Sequence, residues 1–247
     1  MKCNKGFKIR EEKAMANKLW KKFGQLTENC YENLVGIYKD ETCWEKAFDV
    51  LKTIVEDGRS KNKTYARELY LLDEFTDYEY DVQGWLEDYL DEIDMRENHE
   101  KLLSDCEWLI EVFNWAKYSP SDIYSRKASA LGSLGRMEEA HDFCVKWLER
   151  EPDNMQAIAS TVYAKLGVKD IEAAEKIVSQ YIDKNTECTE ENDILFVAAQ
   201  TLYAINGNKK AKKYVDAALE RYEQYLEDYF LGDGDDDDDF LDFLPFD

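Results

Sequence analysis

The chain has 247 residues, 44% of them hydrophobic and 13% aromatic, which is enough apolar material for one core or two small ones and excludes a wholly disordered polymer. A formal net charge of −22 opposes direct binding to nucleic acid, itself a polyanion. No apolar run approaches the ~18 residues that a membrane span needs, and the N-terminal "MKCNKGFKIREEKAMANKLWKKF" is basic without the apolar core and cleavage site of a secretory signal.

Three prolines and 11 glycines leave long uninterrupted segments, and no alternating β-branched run stands between turn signals, so the class predicted is all-α. The first helices are predicted over residues 8–23 and 27–38, divided near Gly24. The next covers 42–56, where Trp44, Ala47, Phe48 and Leu51 share a face and Gly58 is a stop signal. Residues 64–75, 80–93 and 98–116 follow, the second of these with Trp85, Tyr89 and Ile93 at helical spacing. After "YSPSD" six more are predicted over 122–134, 137–150, 155–166, 171–183, 191–205 and 209–230. The six cysteines are widely scattered and several fall on apolar helix faces, so reduced thiols of a cytoplasmic protein are expected.

Charge is unevenly placed. Residues 1–24 carry eight Lys/Arg against two Glu, residues 71–111 carry fifteen Asp/Glu against two Lys/Arg, and from Glu227 onward there are ten acids and no base.

The last three helix pairs repeat one another. "EEAHDFCVKWLEREP" aligns with "EAAEKIVSQYIDKNT", so that Ala140 meets Ala174, Cys144 meets Val178, Trp147 meets Tyr181 and Leu148 meets Ile182, each 34 residues apart. "KKAKKYVDAALERY" is a third copy, with Ala211 standing 37 residues after Ala174. The first helices carry small mid-helix residues, Ala128, Ser160 and Ala199, that allow close approach of a partner helix. They end at Gly135, Gly167 and Gly207, each expected in a left-handed cap. Pro152 stops its helix, whereas the second copy has Thr186 at that place and a two-residue insertion between its helices.

This 34-residue period of paired helices resembles the tetratricopeptide repeat, well over residues 121–220 and only weakly over 26–116. The resemblance implies antiparallel helix pairs stacked into a right-handed solenoid, in which the first helix of each pair lines a concave groove for an extended peptide or a partner's helix. On that register the groove residues are Ser125 and Ser129, then Thr161 and Lys165, then Phe196, Gln200 and Tyr203. A subset of the family grips a C-terminal carboxylate with Lys and Asn. Ser125 and Ser129 stand at those sites, so that clamp is absent. The organisation expected is a degenerate helical-hairpin region over 1–116, three repeat-like pairs over 121–230 and a flexible acidic, aromatic tail over 231–247.

Little in the sequence points to catalysis. His141 and Cys144 have an i, i+3 spacing that can hold zinc, but Cys144 falls on the helix seam and no Cys-x-x-Cys pair supplies further ligands. No glycine-rich phosphate loop, HExxH or nucleophile elbow is present, so no catalytic residue, metal or cofactor is expected. In the tail, five consecutive aspartates precede Phe240, Leu241, Phe243, Leu244 and Phe246, a pattern suited to a linear docking motif. Tyr222, Tyr225, Leu226, Tyr229 and Phe230 give the last helix an apolar face for its own body or for a second copy in a homodimer. The function expected is a protein-interaction scaffold that binds a peptide or partner helix without contacting nucleic acid or membrane. The alternative is an acidic, nucleic-acid-mimicking inhibitor that blocks a basic partner through residues 71–111.

Overall fold

The computed structural model describes the backbone of residues 3–232 and the side chains of 18–229. The tail motif Phe240, Leu241, Phe243, Leu244 and Phe246 lies outside the described residues. Within them are eleven helices and no strand. The chain divides into two compact units, Met1–Pro120 and Ser121–Asp247.

The first unit is built on aromatic packing. It holds α1 (Cys3–Leu34), α2 (Cys43–Lys61), α3 (Leu71–Glu74), α4 (Val82–Met95) and α5 (His99–Val112). Trp44, Phe48 and Leu51 of α2 are fully buried, as are Phe23 of α1 and Tyr89 of α4. Trp85 lies stacked against Trp44 at 6.3 Å and against Tyr89 at 5.3 Å, and Tyr89 stacks on Phe48 at 4.7 Å. Offset pairs at these distances add to the area they bury.

Two sequence expectations are corrected here. Gly24 does not divide the first helix, which runs unbroken to Leu34. The glycine serves a different purpose: a Cβ there would stand 2.7 Å from Tyr80 Cε1, so it admits a ring that stacks on Trp20 at 5.3 Å. Residues 64–75 are not one helix either, since only Leu71–Glu74 is helical. Arg59 explains the difference. Its guanidinium donates to the carbonyls of Tyr65 (3.2 Å) and Ala66 (2.8 Å), which holds Ala66 left-handed at φ +40° and tucks its methyl out of solvent. Tertiary hydrogen bonds outweigh a weak local propensity.

The second unit contains α6 (Ser121–Ser133), α7 (Met137–Arg150), α8 (Met155–Gly167), α9 (Ile171–Tyr181), α10 (Asp193–Ile205) and α11 (Lys209–Gly232). Each helix packs on the next in sequence, α6 packs on α8, and α8 packs on α10. This consecutive pairing, with the first helices of successive pairs side by side, is compatible with a helical repeat. Its core joins Ile158, Val162, Val178, Leu195, Phe196, Leu202 and Val215.

One turn recurs: it follows α1 at Gly36 (φ +75°, with paired distances of 3.0 and 2.9 Å) and joins three helix pairs. After α4, α6 and α8 a single residue is left-handed: Glu97 (φ +57°), Gly135 (φ +74°) and Lys169 (φ +64°). Its N–H donates to the carbonyl three residues back, and the following N–H to the carbonyl five back. The paired distances are 2.8 and 3.2 Å at Glu97, 2.9 and 2.9 Å at Gly135, and 3.0 and 2.9 Å at Lys169. This double bond satisfies two terminal carbonyls and reverses the chain into the next helix.

Gly167, expected to be left-handed, is instead the last residue of α8. The two-residue insertion carries the helix onward and moves the left-handed position to Lys169. The shared turn also brings α4–α5 into register with the later pairs. Counted from the residue before each second helix, the fourth positions are Leu102, Ala140 and Ala174 and the eighth are Cys106, Cys144 and Val178, all of them buried.

A left-handed L-residue costs roughly 1–2 kcal/mol that glycine avoids, partly offset by glycine's larger unfolded entropy. Gly135→Ala is therefore expected to lower stability by about 1 kcal/mol, and Lys169→Gly to raise it by about 0.5 kcal/mol. Urea denaturation of the two variants, read side by side, checks the opposite signs.

Candidate interaction groove

The second unit carries a groove of about 460 Å³ between α6 and α8, closed at its base by α7. Ser125, Ala128, Ser129, Gly132 and Ser133 of α6 form one wall. Ser160, Tyr163, Ala164 and Gly167 of α8 form the other, and Met137 and Ala140 of α7 form the floor. The spacing 160, 163, 164, 167 is one helical stripe, and 125, 128, 129, 132 is its counterpart. Their small side chains bring the two helices close enough for Ser160 Oγ to lie 3.4 Å from Ser125 Oγ. Tyr163 stands at the rim, 40% exposed.

None of the eleven lining residues is charged, in a chain that is 35% charged overall. The groove thus offers hydroxyls, a phenol ring and methyl-sized surface, with no fixed charge to select its occupant by sign.

The groove residues taken from the sequence separate into two sets. Ser125 and Ser129 do line it, whereas Thr161, Phe196 and Tyr203 do not face solvent and are corrected to core positions. Thr161 is 1% exposed, with its hydroxyl donating to Ala157 O at 2.7 Å and lying 3.3 Å from Cys144 O across the seam with α7. Phe196 is completely buried in the α8–α10 core. Tyr203 is also buried, which pushes its phenol above the usual range, with Glu175 adding to the shift.

The error is one of phase. A shift of one residue turns a helix face by about 100°, and α8 presents 160 and 163 to the groove, not 161. On α10 the exposed residues are Val197, Ala204 and Ile205. Lys165 is half-buried, with its ammonium 3.4 Å from Asp170. Gln200 donates to Asp216 at 2.7 Å. That bond and the stronger one from Lys212 hold the Asp216 carboxyl below its ordinary range. Tyr163 and Met137 were missed, although Tyr163 follows Ser160 by three and precedes Gly167 by four, a spacing visible in the sequence.

A second polar cluster lies in the first unit. Asp105, 1% exposed, accepts from Tyr89 Oη at 2.5 Å, from Lys52 Nζ at 3.0 Å and from Lys101 Nζ. Both ammonium groups also sit over the Phe48 ring, at 4.5 and 5.2 Å from its centroid. Burial first, and the adjacent carboxylate second, push the Tyr89 phenol far above its usual range, so it remains a neutral donor. With its oxygens engaged by three donors, Asp105 links α2, α4 and α5 and leaves no acceptor directed at a cavity.

Among the described residues no group of three or more His, Cys, Asp or Glu could hold a metal ion. His141 Nδ1 lies 3.5 Å from Asp142, and Cys144 is buried, which pushes its thiol up to about 12. The described cysteines form no disulfide, and among the described residues no helix is long and apolar enough to cross a membrane.

No family model, no curated protein and no solved structure matches the chain.

Removal of the Asp105 charge leaves two ammonium groups and a phenol without their shared acceptor. Because the lysines are about a quarter exposed, water recovers part of the loss. Asp105→Asn is expected to cost about 2 kcal/mol, below the range for a fully buried pair. Denaturant titration with Trp fluorescence tests this, and a cost within experimental error would show that the cluster is not a stabilising link.

Proposed function

We propose that the chain is a protein-interaction scaffold, built of tetratricopeptide-like helix pairs, that holds a peptide or partner helix in the α6–α8 groove and performs no catalysis itself. The observation that supports this most is the uncharged groove lining within a strongly acidic chain. A surface whose only role was solubility would carry charge there too. Apolar and hydroxyl surface gives an occupant shape contacts and hydrogen bonds, neither of which salt screens appreciably. The preferred ligand is therefore a segment poor in charge, with small or aliphatic side chains that fit between the serine stripe and Tyr163. The helix-pair packing and the repeated left-handed turn support the family resemblance.

A second reading has its own support. Of the fifteen acids between residues 71 and 111, Asp73 and Asp105 are buried and the other thirteen reach the surface of the first unit. Such a face suits a basic partner, and its binding would weaken steeply with salt.

The two readings separate in one experiment. Immobilised full-length protein is exposed to lysate at low and high salt, beside the variant Ser129→Trp, whose indole fills the groove from an exposed helix position. A partner bound through the groove persists at high salt and is lost from the variant by tenfold or more, equivalent to about 1.4 kcal/mol. A partner retained by Ser129→Trp and released by salt would sink the groove reading in favour of the acidic face.

A further inference from the structure

The last helix outruns its partner. α11 has 24 residues and α10 has 13, which at 1.5 Å per residue makes them about 36 and 20 Å long. The apolar stripe on α11 continues through the overhang without a break. Val215 and Ala218 are buried against the unit, Tyr222 and Leu226 are half-buried, and Tyr225 and Tyr229 are 62% and 58% exposed. With Cys188 and its neighbours in the α9–α10 connection, this stripe walls a groove of about 870 Å³. An aromatic stripe that begins in a core and ends in solvent is the geometry of an incomplete cap.

We propose that this groove is filled by the chain's own Phe240, Leu241, Phe243, Leu244 and Phe246. The sequence continues from Gly232 through seven residues, 233–239, before Phe240. Extended at about 3.3–3.6 Å each, they reach roughly 25 Å, whereas Tyr229 to Ala218 spans only ~17 Å of helix. The segment can therefore double back along the helix that carries it. A tether this short gives an effective concentration in the millimolar range, which favours it over any unlinked competitor.

Charge works against the docking and shapes it. Glu187 and Glu190 stand at the groove's edge against a single base, Arg221, so the lining is net acidic, the run of aspartates bows outward into solvent and only the apolar block enters. Salt then strengthens the docked state by screening that repulsion, the reverse of what a basic peptide in the same groove would show. This inference is independent of the α6–α8 groove, which lies on other helices.

Cys188 is a built-in reporter. It lines the groove and is the one described cysteine that is not fully buried, with its thiol pushed up to about 11 chiefly by burial. In full-length protein carrying Cys3→Ser, iodoacetamide alkylation of Cys188 is followed by intact mass. The comparison is the same protein with Phe240, Phe243, Leu244 and Phe246 all changed to Ser. The tail substitutions are expected to speed alkylation about fivefold, as for a docked state that outnumbers the open one by a few to one. The ratio should hold across pH, which distinguishes shielding from a shift in the thiol's own titration. High salt should slow the parent and leave the variant unchanged. Equal rates, or a parent that speeds up with salt, would overturn the proposal. A parent rate that rises over a hundred-fold dilution would overturn it as well, because the occupant would then come from a second copy.

Discussion

The close approach of α7 to the helices on either side of it is the constraint from which the second unit follows. Ala140 and Cys144 are small enough for α7 to press against α6 and α8, and the Thr161 hydroxyl bridges that seam to the Cys144 carbonyl at 3.3 Å. Trp147, fully buried, fills the wider end of the same seam with its ring edge-on to Tyr124 at 5.2 Å. A larger residue at Ala140 would push the layers apart, since cores at native density absorb added volume only by moving backbone. The α6–α8 groove is a by-product of this packing. Its floor is the outer edge of the seam, and its walls are the small residues that close approach requires.

The first unit solves the same problem with different material. Large rings replace alanines, so α2, α4 and α5 are spaced by Trp44, Phe48, Trp85 and Tyr89 and joined at one buried carboxylate, Asp105. That carboxylate is satisfied by two ammonium groups and a phenol, an arrangement in which removal of one member costs more than the set contributes net. The second unit has no comparable charged centre among its described residues. Its interior is apolar apart from Ser160 and Thr161, which lie at the groove and the seam. Surface acids surround both units, yet they leave the groove lining untouched.

Most of the helices were legible because each second helix has one buried stripe and one wet face. On α7 and α9 the apolar residues recur at 3.6-residue spacing, and the predicted bounds agree with the structure within two residues. The first helices were legible as helices but not in orientation. α8 and α10 are covered on most sides, so "AIASTVYAKLG" and "LFVAAQTLYAI" carry apolar or small residues all round. A pattern without a polar face does not say which side is outward, and Thr161, Phe196 and Tyr203 were placed one step off in phase. The α4–α5 pair was legible as two helices, but its register with the later pairs was hidden for another reason. Its turn carries Glu97 where the eye looks for glycine, and α4 has Trp85 and Tyr89 where the later copies have small residues.

By itself the sequence determined the all-α class, the stacked second-helix stripes and the uneven charge, because these rest on composition and on periodicity within single helices. Only the tertiary structure decided three further matters. Glu97 and Lys169 accept left-handed backbone because each sits between two helices whose packing outweighs a cost of about 1–2 kcal/mol. The groove is uncharged because the phase of α8 is set by α7 and α6 together and not by α8's own sequence. The stripe on α11 is half core and half surface because α10 stops short of it, and the length of one helix carries no mark in the sequence of another.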